Sequence, residues 1–227
     1  MNIEQKLYWL MHMGISCFCA EVPRQKATAT QTVLSDLPAT TQAHNQILNV
    51  TDLPALNAHK MDFTLSALKK TASHTLLGQG PNKPKLMCIF EMPSADSDRS
   101  GETLSGPQGE LFIKMMNAIQ LDIKKDIYIT YLSPWRTPGN RSLTEAEQAL
   151  FLPFLTREID LVFPQKILLF GSSVADALLK IKSLTKARGN WHEFQNIPVR
   201  VTLALTALKT DVLKRQAWQD LQEVGKN

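Results

Sequence analysis

Three short segments carry residue types from which a catalytic or binding site could be built. In the first, Glu91 ends an apolar run and is followed by the turn-forming Met92-Pro93-Ser94. A carboxylate held at such a strand end suits a general base that activates water. In the second, Pro134-Trp135-Arg136-Thr137-Pro138-Gly139-Asn140-Arg141 makes a stiff loop with two guanidiniums, an indole and an amide. Arg beside exposed aromatic rings suits phosphates and unstacked bases. In the third, Gly171-Ser172-Ser173 opens a helical stretch, where free backbone N–H groups can hold a phosphate. Each also has a purely structural reading. Glu91 could be a solvated strand cap, Arg136 and Arg141 surface charge, and Ser172 and Ser173 a helix cap.

The elements that must position these segments follow from the apolar pattern. Leu86–Glu91, Ile127–Leu132, Lys166–Phe170 and Val199–Ala204 are short, apolar and rich in β-branched or aromatic residues, which predicts strands. Helices are predicted over Gly109–Ile119, Leu143–Val162, Val174–Ile181 and Asp211–Val224, the second opened by the capping-box pattern Ser142-Leu143-Thr144-Glu145. Strands alternating with helices imply right-handed crossovers and a parallel sheet covered on both faces. Ligands bind such sheets at the carboxyl ends of the strands. All three segments stand there.

Composition bounds the rest. The 227 residues are 44% hydrophobic and 20% charged, enough for an ordinary core and too apolar for wholesale disorder. No run approaches the ~18 apolar residues of a membrane span. Three cysteines and a net charge of +4 point to a soluble, cytoplasmic protein only mildly suited to polyanions. Residues 1–23 read as an amphipathic helix, with Ile3, Leu7, Leu10, Met11, Gly14 and Phe18 at helical spacing. The competing reading, a secretory apolar segment over Leu7–Ala20, is opposed by Glu4 and His12. Residues 24–62, rich in Thr, Ala and Gln, read as a flexible linker, although a loop packed on the domain stays open for Ile47–Leu56. Residues 63–227 form the main domain.

Taken in order, the motifs resemble a known family. They are Gly78-Gln79-Gly80-Pro81, Glu91-x-Pro93, Asp98-Arg99-x-Gly101, Gly106-x-x-Gly109, Tyr128-Ile129-Thr130, the Pro134–Arg141 block, Pro153-Phe154-Leu155, Arg188-Gly189-x-Trp191 and Arg215-x-Ala217-Trp218-x-Asp220-Leu221. They are similar to the family 4 uracil-DNA glycosylases, above all the alphaproteobacterial type with Pro-Trp-Arg in the loop. The resemblance runs from Ala67 to about Leu221, with Trp9-x-x-x-Met13-Gly14 as a further echo. It implies a three-layer α/β/α sandwich with a central four-stranded parallel sheet. It also implies excision of a flipped uracil by hydrolysis of its N-glycosidic bond.

Carried over residue by residue, the resemblance also implies losses. The first-motif Glu falls on Glu91, but Met92 and Ser94 replace small residues of the pocket. The stacking Phe falls on Leu104, the uracil-reading Asn on Tyr131, and the His-Pro of the last motif on Ala204-Leu205. Ala donates no hydrogen bond, and a lone hydroxyl does not reproduce an amide's paired donor and acceptor. The four cluster-binding Cys of the family fall on Phe63, Ser66, Trp135 and Phe151, so no iron–sulfur cluster or other cofactor is expected. One lost oxyanion-type donor costs about 10²–10³ in rate. A catalytically degenerate monomer is therefore expected, with weak, non-specific DNA binding through Arg136, Asn140, Arg141, Ser172 and Ser173. An altered-specificity glycosylase using Glu91, with His74 or His192 as substitute donor, and a protein-interaction scaffold are the alternatives.

Overall fold

The computed structural model describes residues 47–226. The expected helix over 1–23 and the first part of the expected linker lie outside these residues. Five strands form the central sheet: β1 Leu86–Phe90, β2 Ile127–Tyr131, β3 Ile167–Phe170, β4 Trp191–Phe194 and β5 Ile197–Thr202, in the order β2-β1-β3-β5-β4. The first four in that order are mutually parallel, with Phe90 beside Tyr131 and Ile89 beside Leu169. The α/β/α expectation of four parallel strands is met. A fifth strand is added.

That strand, β4, pairs antiparallel with β5 at the sheet edge. Gln195 and Asn196 join the two with φ of 51° and 63°, the two left-handed residues that a tight hairpin turn needs. The hairpin starts β5 at Ile197, and the strand stops at Thr202 rather than reaching Ala204.

Helices cover both faces. α1 Leu53–Asp62, α4 Glu145–Val162 and α5 Ser172–Leu179 pack on one, and α3 Gly106–Ala118 and α7 Asp211–Gly225 on the other. The short helices α2 Ala95–Ser100 and α6 Leu184–Ala187 lie between these in the chain. Strand residues alternate between the layers: Met87 and Ile89 join the α1/α4/α5 core, and Leu86, Cys88 and Phe90 the α3/α7 core. Burial on both faces explains why these strands read as continuous apolar runs. Gly109 lets α3 lie close to the preceding loop, since a Cβ there would stand 1.5 Å from the Leu104 carbonyl oxygen.

Two expectations need correction. Residues 53–62, expected within the linker, form α1, capped by the Asp52 carboxylate accepting the Ala55 N–H at 2.8 Å. Ile47, Val50 and Leu56 are buried in the core. The helix escapes the pattern because its buried positions are Leu56 and Lys60. Lys60 is 5% exposed and donates to Glu158 at 2.7 Å, while Tyr128 and Thr130 donate to the same carboxylate at 2.9 and 2.8 Å. A lysine on the inner face hides the apolar stripe. The capping box of α4 also sits two residues later than expected, between Thr144 and Glu147.

Candidate functional site

The carboxyl ends of β1, β3 and β5 open onto one cavity of about 530 Å³. Glu91, Met92, Pro93 and Ser94 line it from the turn after β1, and Ala204 from the turn after β5. The Ser94 hydroxyl caps α2 by accepting the Ser97 N–H at 3.1 Å, which turns the chain sharply after Pro93. Glu91 accepts the Leu143 N–H at 2.8 Å, so one carboxylate oxygen fastens the entry of α4. The Met92 sulfur accepts from the Thr137 N–H and hydroxyl at 3.4 and 3.2 Å, so this side chain braces the Pro134–Arg141 loop. Gly171, at φ 98°, turns the chain from β3 into α5 beside Ala204; a Cβ at 171 would stand 3.3 Å from that of Ala204.

Leu104 and Tyr131 do not line this cavity. They are tied to each other. The Tyr131 hydroxyl accepts the Leu104 N–H at 3.3 Å, with Leu104 at φ 56° and Tyr131 only 4% exposed. Burial pushes the Tyr131 hydroxyl up to about 12, against the opposing pull of its bonds to Leu104 and Ser97. Tyr131 is a strut for the loop before α3.

The loop cations are engaged as well. Arg136 donates through Nε to Asn140 Oδ1 at 2.6 Å, and Arg141 grips both Glu147 carboxylate oxygens at 2.7 Å. That pairing, helped by the Thr144 bonds and opposed by burial, lowers the Glu147 carboxyl to about 2. Ser172 is exposed at the start of α5, and Ser173 is half-buried beside it. His192 binds the Ala187 carbonyl at 2.7 Å and His74 the Asp98 carbonyl at 2.6 Å; neither lines the cavity. Sequence reasoning missed the polar cavity residues Asp96, Gln108, Ser142, Thr206 and Lys209.

The positions implied for an iron–sulfur cluster do converge, but in another material. The Phe63 and Trp135 rings stack at 6.4 Å, and Phe151 stands edge-on to them at 6.5 and 5.7 Å. Phe154 closes on Phe63 at 5.0 Å. The void among these rings is only about 10 Å³, too small to hold more than one water. The Ser66 hydroxyl is spent capping a short helical turn at Leu68. Cys88 lies in the opposite core layer, where burial pushes its thiol up. These residues do not fit a cluster that needs thiolates. Aromatic packing occupies its place.

Other motif residues act as ties. Asp220 on α7 accepts from Arg188 Nε at 2.8 Å and from the Thr202 hydroxyl at 2.9 Å, pinning that helix to β5. No helix among the described residues is long and apolar enough to cross a membrane.

Comparison with known proteins accords with this architecture. The type-4 uracil-DNA glycosylase of Saccharolobus solfataricus is 31% identical over 130 residues, 55% of this chain and 60% of that protein. The type-4 enzyme of Pyrobaculum aerophilum is 27% identical over 156 residues, 66% of this chain and 79% of that protein. A DNA polymerase of Bacillus phage SP01 is 27% identical over 135 residues, 60% of this chain but 15% of the polymerase. The chain thus spans about three fifths of the length of the first of these relatives. The sequence model of the uracil DNA glycosylase superfamily matches residues 77–222, from the bend before β1 almost to the end of α7. On that match, the chain belongs to the uracil-DNA glycosylase superfamily.

Proposed function

We propose that this chain is a monomeric DNA-binding member of its superfamily that does not excise uracil at a physiological rate. The observation that carries this is the Tyr131–Leu104 tie, with Ala204 facing the cavity. The relatives named as type-4 uracil-DNA glycosylases suggest hydrolysis of the bond between uracil and deoxyribose. That reaction needs the base to be held, its edge to be read and the departing anion to be stabilised. Tyr131 and Leu104 are turned to a structural task, and Ala204 has no donor to offer. DNA contact falls to the strand-end face, where Arg136, Asn140 and the Ser172-Ser173 helix start meet phosphates and Arg141, held by Glu147, adds little.

A second reading, hydrolysis of the glycosidic bond to a different base, is favoured by Glu91 lining the cavity with a carboxylate that makes only one bond, to Leu143, among the described residues. A single-turnover assay on uracil-containing single and double strands separates the two from a working uracil enzyme. Excision slower by at least about 10³ than the roughly 10 per second of ordinary enzymes is expected. Turnover of about 1 per second or faster would overturn the proposal.

A further inference from the structure

The cavity lacks the family's base-holding groups at positions 104, 131 and 204, yet equivalent chemistry reaches it from elsewhere. Gln108, in the first turn of α3, lines it with a side-chain amide. Lys209 lines it with an ammonium and Thr206 with a hydroxyl, both from the turn after Ala204. Among the described residues Lys209 is the only cation on the cavity wall, which otherwise carries the carboxylates of Glu91 and Asp96. Phe170 gives it an aromatic wall, its ring stacked on Phe90 at 4.3 Å. The side chains of Gln108, Thr206 and Lys209 have no hydrogen-bond or ion-pair partner among the described residues. Free polar groups converging in a concave site are the mark of a binding pocket.

We propose that Gln108 and Lys209 read an unpaired 6-oxopurine in this cavity; the proposal rests on the DNA-binding reading above. An amide supplies the donor and acceptor that match the lactam edge, O6 with N1–H. A lysine ammonium suits the paired O6 and N7 acceptors of a 6-oxopurine, and uracil has no N7. Ala204 leaves free the space that a larger side chain would fill, which favours the two-ring base. The chemistry lost for uracil has moved to the two sides of the cavity.

The test is binding of the full chain to single strands that differ at one central base: inosine, adenine or uracil. Wild type is expected to prefer the inosine strand by about tenfold, within the range of one good base contact. Gln108→Ala and Lys209→Ala should each erase that preference while leaving binding to the adenine strand within about twofold. Lys209→Arg, which keeps a cationic donor, should retain it. Equal affinity of wild type for all three strands would overturn the inference. So would a Lys209→Ala loss of the same size on every strand, which would make Lys209 a phosphate contact. No binding to any strand would overturn the DNA-binding reading and this inference with it.

Discussion

The Tyr131 hydroxyl holds a leucine in the left-handed region, a conformation that costs an ordinary side chain roughly 1–2 kcal/mol. Tyr131→Phe removes the acceptor and leaves the Leu104 N–H unpaired, so unfolding free energy should fall by about 1–2 kcal/mol in urea titrations at pH 7. The pH dependence has a definite sign. The folded hydroxyl is raised to about 12 from an ordinary 10, so its contribution is complete below pH 10 and lost as pH rises towards 12. The gap between wild type and Tyr131→Phe should therefore shrink over that window; a gap that stays constant would show that the hydroxyl does not carry the effect. Sequence alone marks Tyr131 as unable to read uracil but not as a strut, because its partner is a backbone N–H across the fold. Glu91, Met92, Pro93 and Ser94 were legible because a strand end followed by Pro announces a site. Gln108 and Lys209 were not, since one polar residue in a helix turn or loop carries no spacing signal.

Elements were more legible than residues, and their failures have physical causes. The parallel strands announce themselves because both faces are buried. β4 does not, because Trp191 and Glu193 face water at an edge. α1 hides behind Lys60 and its buried carboxylate partner. α4 shows its cap two residues early because Ser142 and Thr144 offer the same signature, and only geometry chooses Thr144. That cap is testable. Glu147 bonds the Thr144 N–H and hydroxyl while pairing with Arg141. Its folded carboxyl is lowered to about 2 from 4.5, so the stabilisation is present above pH 4.5 and lost as pH falls towards 2. Taken at face value that shift corresponds to about 3 kcal/mol, but Arg141 is 46% exposed and water screens the pair, so about 1 kcal/mol is expected. Glu147→Gln should lower stability by that amount at pH 7 and by little near pH 2.5. An equal deficit at both pH values would exclude the carboxylate as the source.

At the scale of the whole molecule the charge is small, and what matters is which cations are free to meet DNA. A net charge of +4 on 227 residues gives no broad electrostatic footprint. Affinity for DNA must then come from a few phosphate contacts, each adding about 0.7–0.9 to the slope of log affinity against log salt. Besides Lys209 at the cavity, the strand-end face offers Arg136 and Arg141, but Glu147 holds the second of these arginines in a two-pronged pair. The Arg136 partner, Asn140, is a neutral amide that competes poorly with a phosphate. Arg136→Ala should therefore flatten the salt slope by nearly one unit, whereas Arg141→Ala alone should change it by much less. Glu147→Gln removes the competing carboxylate and should release Arg141 to the backbone of the DNA. The slope should then steepen by nearly one unit, with the largest gain in affinity at low salt, while Glu147→Gln combined with Arg141→Ala returns it to the wild-type value. The measurement is fluorescence anisotropy of an undamaged single strand over 50–200 mM salt. An Arg141→Ala slope as flat as that of Arg136→Ala would mean that DNA displaces Glu147 unaided. The same cap residue would then stabilise α4 without restraining the DNA-facing loop.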